Sequence, residues 1–447
     1  MQEGSILLLI LVVAILFIIY MTAKVKLHAF LVLLLAAFGV GLASGMPALE
    51  VVSNITSGFG GILKYIGIVI IAGTIIGTIL EKSGGTLTMA NAVLKVVGKA
   101  RTVLAMSITG AIVSIPVFCD SGFVILSSLN KALSKKTGIS MATMAVALST
   151  GLYATHTLVP PTPGPIAAAG TIDADLGLVI LVGLIVSIPA ILAGYFWSVK
   201  VASKYYVEPQ LEIDYEELQK QHKSLPNNFD AFAPIVIPII LITLKSIAAF
   251  PSEPFGSGSI KTFFEFIGNP TVALLLGVFI AFRMLPSLSE EHINGWIGDG
   301  LKNAAVIIMI TGAGGAFGSI LKATPIGNYL GQTLAQYHIG ILLPFVIAAA
   351  LKTAQGSSTV ALITTSAIVA PLLPALGLTS AIAKALVVMA TGAGAMTISH
   401  ANDSYFWVVS QFSGLDTSTA YKTHSMATLV QGIVTIVVVS AIAAVFV

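Results

Sequence analysis

Apolar stretches of about 17–25 residues recur along the whole chain, separated by short polar or glycine-rich punctuation. That is the length needed to cross a hydrocarbon core about 30 Å thick. The pattern predicts spans near 5–22, 27–44, 62–80, 141–159 and 176–200 in the first half. The second half yields 231–250, 270–285, 300–321, 381–399 with a continuation to about 412, and 424–447. Two further apolar segments, 102–133 and 339–373, are interrupted in the middle, by Asp120-Ser121-Gly122 and by Gln355-Gly356-Ser357-Ser358-Thr359. Their arms are short for a full crossing, so both read as re-entrant helical hairpins. The expected fold is an all-α polytopic membrane protein.

Composition narrows the classes further. Of 447 residues, 56% are hydrophobic and only 9% are charged, against about 25% charged in soluble domains, which excludes a water-soluble globular enzyme. The apolar runs are continuous rather than alternating, which excludes a membrane β-barrel. A net charge of +3 gives no footprint for a nucleic-acid partner. The single cysteine, Cys119, cannot form an intramolecular disulfide. Residues 1–4 contain Glu3 and no Lys or Arg, so the run that follows reads as the first span and not as a cleavable signal.

Lysine and arginine positions orient the spans. With both termini outside and each hairpin returning to the side it entered from, sixteen basic residues fall inside. Five fall outside: Lys64, Lys245, Lys261, Lys322 and Lys384. The one long hydrophilic segment, about 204–230, then lies on the inner side as a linker between halves 1–203 and 231–447.

The halves echo each other. Gly77-Thr78-Ile79-Leu80 resembles Gly318-Ser319-Ile320-Leu321, and Thr150-Gly151 before His156 resembles Thr391-Gly392 before His400, both at an offset of 241 residues. The order of spans and hairpins matches as well. Five crossings per half is an odd number, so the expectation is two inverted-topology repeats, each with five spans and one hairpin. Inverted repeats with broken helices near the midplane are the architecture of secondary transporters.

Polar backbone at membrane depth is tolerated only where protein or water satisfies it, and four breaks interrupt the apolar pattern. They lie near Pro116–Gly122, Tyr153–Pro165, Lys352–Thr359 and Thr397–Ser404. Helix N-termini at such breaks suit an anion, and the hydroxyl and amide side chains there suit a polyol. Asp120 and Asp403 are acidic residues inside apolar elements, where an ionisable group is a functional hypothesis by default; both are candidates for proton coupling. Candidate substrate contacts are Ser121, Gly122, His156, Thr157, Gly356, Ser357, Ser358, Thr359, His400, Asn402 and Ser404. Lys352 is placed either to meet a substrate carboxylate or to snorkel to the surface. No metal-ligand spacing accompanies His400 and Asp403, and no cofactor motif occurs: Phe317 stands where a dinucleotide fingerprint needs its last glycine.

Three segments, His156–Pro165, Ala354–Ala361 and Ser399–Ser404, resemble those of the gluconate permease family, a likeness that extends over essentially the whole chain. The resemblance implies a proton symporter for gluconate or a related hydroxy-carboxylate in a bacterial inner membrane. It also implies opposed hairpins, an elevator movement and a homodimeric scaffold, with sodium the alternative coupling ion. The family pattern has Glu in the first hairpin where this chain has Asp120, which brings D-glycerate, 2-keto-3-deoxygluconate and D-serine into consideration. Rival classes are an anion channel, which needs a continuous polar pore, and an intramembrane enzyme, which needs a nucleophile–base pair or a metal site.

Overall fold

The computed structural model describes residues 4–98, 101–209, 225–249, 255, 258–324, 340–401 and 403–447. Asn402 and most of the expected linker therefore lie outside the described residues, as does the segment that precedes the second hairpin. Among the described residues the secondary structure is helical throughout. In the first half run α1 (Gly4–Ala23), α2 (Ala29–Ala43), α3 (Ala48–Lys82), α4 (Gly85–Val97), α5 (Thr102–Val113), α6 (Cys119–Thr137), α7 (Met141–Leu158), α8 (Pro163–Ile172) and α9 (Leu176–Lys200). The second half has α10 (Asn228–Ala248), α11 (Ser259–Ile267), α12 (Pro270–Ala281), α13 (Trp296–Ala323), α14 (Leu342–Gln355), α15 (Ser358–Val369), α16 (Ala381–Ala395) and α17 (Ser404–Phe412), ending in α18 (Thr417–Phe446). Among the described residues, α9, α10, α13 and α18 are each long and apolar enough to span a bilayer alone, and two bent pairs, within α3 and across α11–α12, qualify jointly.

Several boundaries depart from the sequence expectation. α3 begins at Ala48, well before residue 62. Its first turns carry polar side chains that lower hydropathy, yet these are satisfied locally: Asn54 donates to the Glu50 carbonyl at 3.0 Å and Thr56 to the Val52 carbonyl at 3.0 Å. The helix can therefore continue where hydropathy alone ends it. α4, α8 and α11 were not expected as separate helices; each is too short or too polar to register as a span.

The first hairpin breaks at Ser114–Phe118, overlapping the proline end of the expected Pro116–Gly122 break and lying upstream of Asp120-Ser121-Gly122. Pro116 lacks an N–H and disfavours helix before it, whereas Asp120, Ser121 and Gly122 form the first turn of α6. The second hairpin breaks where the sequence placed it. Gly356 ends α14 in the left-handed region (φ +90°) and Ser357 caps α15, its Oγ accepting the Val360 N–H at 3.3 Å. Glycine is the residue that takes this φ without a Cβ penalty.

Packing partners in one half recur in the other. α5 lies on α7 as α14 lies on α16, and α7 lies on α9 as α16 lies on α18. Each broken span also reaches the opposing hairpin: α8 packs on α15, and α17 packs on α6. Against this unit stands the α3–α13 pair, the most extensive helix contact among the described residues. It is lined by Gly58 and Gly315, which bring the two backbones close together.

Candidate functional site

A cavity of about 580 Å³ opens between the two hairpin tips, the α16–α17 break and α13. Three helices begin on its wall. α6 starts at Cys119, α15 at Ser358 and α17 at Ser404, and all three of these first turns line the cavity. Each helix start presents N–H groups without intrahelical acceptors and a positive dipole end, so three partial positive charges converge on one space.

Asp120 stands among them. Its Oδ2 accepts a long hydrogen bond from Ser404 Oγ at 3.4 Å, and its Oδ1 is buried without a hydrogen-bond partner. Ser121 beside it lies on the same wall. His156, on α7, is buried against Tyr153 and Phe118, with ring centroids 6.5 Å and 5.9 Å away, and its Nδ1 has no partner.

Asp403 is held quite differently. Its Oδ1 accepts the Tyr405 N–H at 3.0 Å and caps α17; its Oδ2 accepts Ser399 Oγ at 2.5 Å and the Lys352 ammonium at 2.6 Å. Lys352 is fully buried and also donates to the Gly356 carbonyl at 2.7 Å. Lys352 neither snorkels outward nor lines the cavity; burial beside Asp403 makes the ion pair its partner instead. Nearby, Ile398 adopts φ +45°, an uncommon conformation for a β-branched residue and a mark of local strain in this break.

The cavity thus gathers Asp120, Ser121, His156, Gly356, Ser357, Ser358, Thr359, Asp403 and Ser404 from the sequence-derived set. Four others are not on its wall. Gly122 faces the Leu152 side chain, and Thr157 donates to the Tyr153 carbonyl of its own helix at 3.1 Å. His400 Nε2 sits 2.9 Å from the Thr353 carbonyl, and Lys352 lies behind the wall. Sequence reasoning missed Lys302 and Asn303, taken as the start of a span, and Tyr153 and Tyr405, whose rings close the inner wall at a centroid distance of 5.2 Å. The only available signal was a polar pair at the front of α13, which is indistinguishable from a solvent-exposed helix start.

Broken helices meeting at a cavity lined by charged and hydroxyl side chains, in a chain with several helices apolar enough to cross a membrane, fit the pattern of a secondary transporter. The chain matches the model of the GntP family permeases over residues 6–445, and it belongs to that family. It is 34% identical to the gluconate permease of Pseudomonas aeruginosa over 446 residues, 98% of this chain and 97% of that one. It is also 34% identical to the D-serine transporter DsdX of Escherichia coli, with 95% of each chain covered. Among solved structures it resembles Neisseria gonorrhoeae MtrF, described as illuminating a class of antimetabolite efflux pumps, with a TM-score of 0.68 and 14% identity over 94% of this chain and 96% of that one. That last likeness is one of fold.

Proposed function

We propose that this protein carries gluconate or a related small hydroxy-carboxylate across a bacterial inner membrane together with a proton. The observation that carries the reading is the convergence of the α6, α15 and α17 N-termini on one cavity, beside a carboxylate with an unpartnered oxygen. The substrate carboxylate sits against the first turn of α15, at Ser357, Ser358 and Thr359, where N–H groups and hydroxyls are both at hand. Ser121 and Ser404 contact substrate hydroxyls. Asp120 takes up and releases the proton, because a buried carboxylate near a bound anion is costly while charged and inexpensive while protonated. Asp403, already paired with Lys352, has its charge balanced without a proton.

The matched packing of the two halves supports inverted repeats, 1–203 and 231–447, joined by a linker over 204–230. It also supports an elevator movement, in which the unit bearing the hairpins slides against the α3–α13 scaffold. The distribution of basic residues supports both termini outside, and the family likeness supports a homodimer.

Proteoliposome uptake of labelled gluconate under an imposed inward proton gradient tests the proposal, with glycerate and D-serine as unlabelled competitors. Accumulation that collapses with a protonophore is the expected result. Gradient-independent equilibration would remove proton coupling, and no uptake of any of the three in tight vesicles would remove the substrate class. A second reading, D-serine, is favoured by one observation: the free Asp120 oxygen is a ready partner for the ammonium of an amino acid whose carboxylate meets α15. D-Serine out-competing gluconate would select it.

A further inference from the structure

We infer that the Lys352 ammonium is the built-in occupant of a cation site at the tip of the second hairpin, and that removing it leaves a site that binds sodium. Two oxygens converge on this point, and a hydroxyl braces one of them. The Gly356 carbonyl and Asp403 Oδ2 receive Lys352 Nζ at 2.7 and 2.6 Å, and Ser399 Oγ lies 2.5 Å from the same carboxylate oxygen. They come from two separate interrupted elements, the α14–α15 tip and the α16–α17 break. A carboxylate and an unwound backbone carbonyl are oxygen donors of the kind a hard monovalent cation takes, and the Ser399 hydroxyl adjoins the carboxylate. The C-terminal end of a half-helix in a broken span is where such a cation is held.

Lys352 sits in the last turn of α14, so its ammonium lies at that helix's negative end. The Tyr153 ring, with its centroid 5.9 Å from Nζ, faces the same charge. A side chain that could have snorkelled is instead fully buried, which is costly at membrane depth unless the charge has a specific task. The task visible here is to tie two interrupted elements together, as a bound metal cation would. A tethered ammonium cannot leave, so the tip is ordered without sodium. This goes with the proton-coupled reading proposed above and gives it a structural reason, but the site itself does not depend on that reading.

The test compares purified wild type with Lys352→Ala and with Lys352→Ala/Asp403→Asn, each in sodium chloride and in choline chloride at equal ionic strength. Binding of radiolabelled sodium and the thermal unfolding midpoint are measured. Wild type is expected to show no saturable sodium binding and the same midpoint in both salts. K352A is expected to bind sodium saturably, with a midpoint raised by a few degrees as mass action requires, and the double variant to lose both responses. Recovery of folded K352A only in sodium buffer counts as the expected result. Sodium binding to wild type, a folded K352A indifferent to sodium, or failure of K352A to fold in sodium each overturns the inference. None of these readouts uses transport, so a failure of proton-driven uptake would strike the proposed coupling and leave this result standing.

Discussion

Asp120 and Asp403 face the same cavity through neighbouring residues: Ser404, which follows Asp403, donates to Asp120 Oδ2 at 3.4 Å. The two carboxylates nonetheless differ in kind. Asp403 has an ammonium, a hydroxyl and a backbone N–H, and is locked by all three. Asp120 has one long hydrogen bond and one oxygen with none. A group that must change protonation during each cycle needs partners weak enough to release, and among these two acids only Asp120 has them.

Asp120→Asn removes the titrating group and keeps the shape. Uphill accumulation of substrate under a proton gradient is expected to vanish, while counterflow exchange of labelled for unlabelled substrate persists at a reduced rate. Full accumulation by the variant in proteoliposomes would remove Asp120 from the coupling step.

Lys302 stands at the mouth of the cavity, its side chain 80% exposed and its ammonium 3.3 Å from Asp299. Asp299 is also paired with Lys82, so Lys302→Gln leaves no carboxylate stranded. The loss is one steering charge for an anion, and KM is expected to rise about three- to tenfold with little change in maximal rate. The difference from wild type should shrink as salt increases. An effect independent of ionic strength would mean that Lys302 binds substrate directly.

The hairpin tips were legible in the sequence because the residues that break a helix in a membrane, such as Pro116 and Gly356, are chemically conspicuous against an apolar background. The position of the first break was less so: Asp120-Ser121-Gly122 is polar enough to suggest a turn, but the proline upstream decides it. The Lys352–Asp403 pair was not legible, since 51 residues separate its members and nothing local in either motif points to the other. The cavity wall from α13 escaped for the opposite reason. Lys302 and Asn303 have the local character of a span's wet end, and it takes the packing of α13 on α3, α2 and α15 to set that end beside the hairpins.

Gly356→Ala puts a Cβ on a residue at φ +90°. The left-handed conformation costs an alanine about 1–2 kcal/mol, and the strain falls on the tip that positions the α15 N-terminus. A lower unfolding midpoint together with a higher KM is expected, and Gly356→Asn should be milder because Asn tolerates this region better. Equal effects from both substitutions would show that space, and not backbone conformation, limits the site.

Gly315→Val tests the opposite kind of position, in the α3–α13 crossing away from the cavity. A Cβ there would meet the Gly58 carbonyl and the Ile62 side chain. Backbone cannot yield as the end of a flexible side chain does, so the two helices must part. Overpacking of this sort costs about 1–3 kcal/mol, which should appear as a lower unfolding midpoint in detergent. No group on the cavity wall contributes to this contact, so KM measured on the folded fraction should stay at the wild-type value. That combination, lost stability with retained affinity, is what a fixed scaffold requires. If instead stability held and the transport rate fell, the α3–α13 crossing would be a surface that moves during the cycle, and the boundary between scaffold and carrier would have to be redrawn through it.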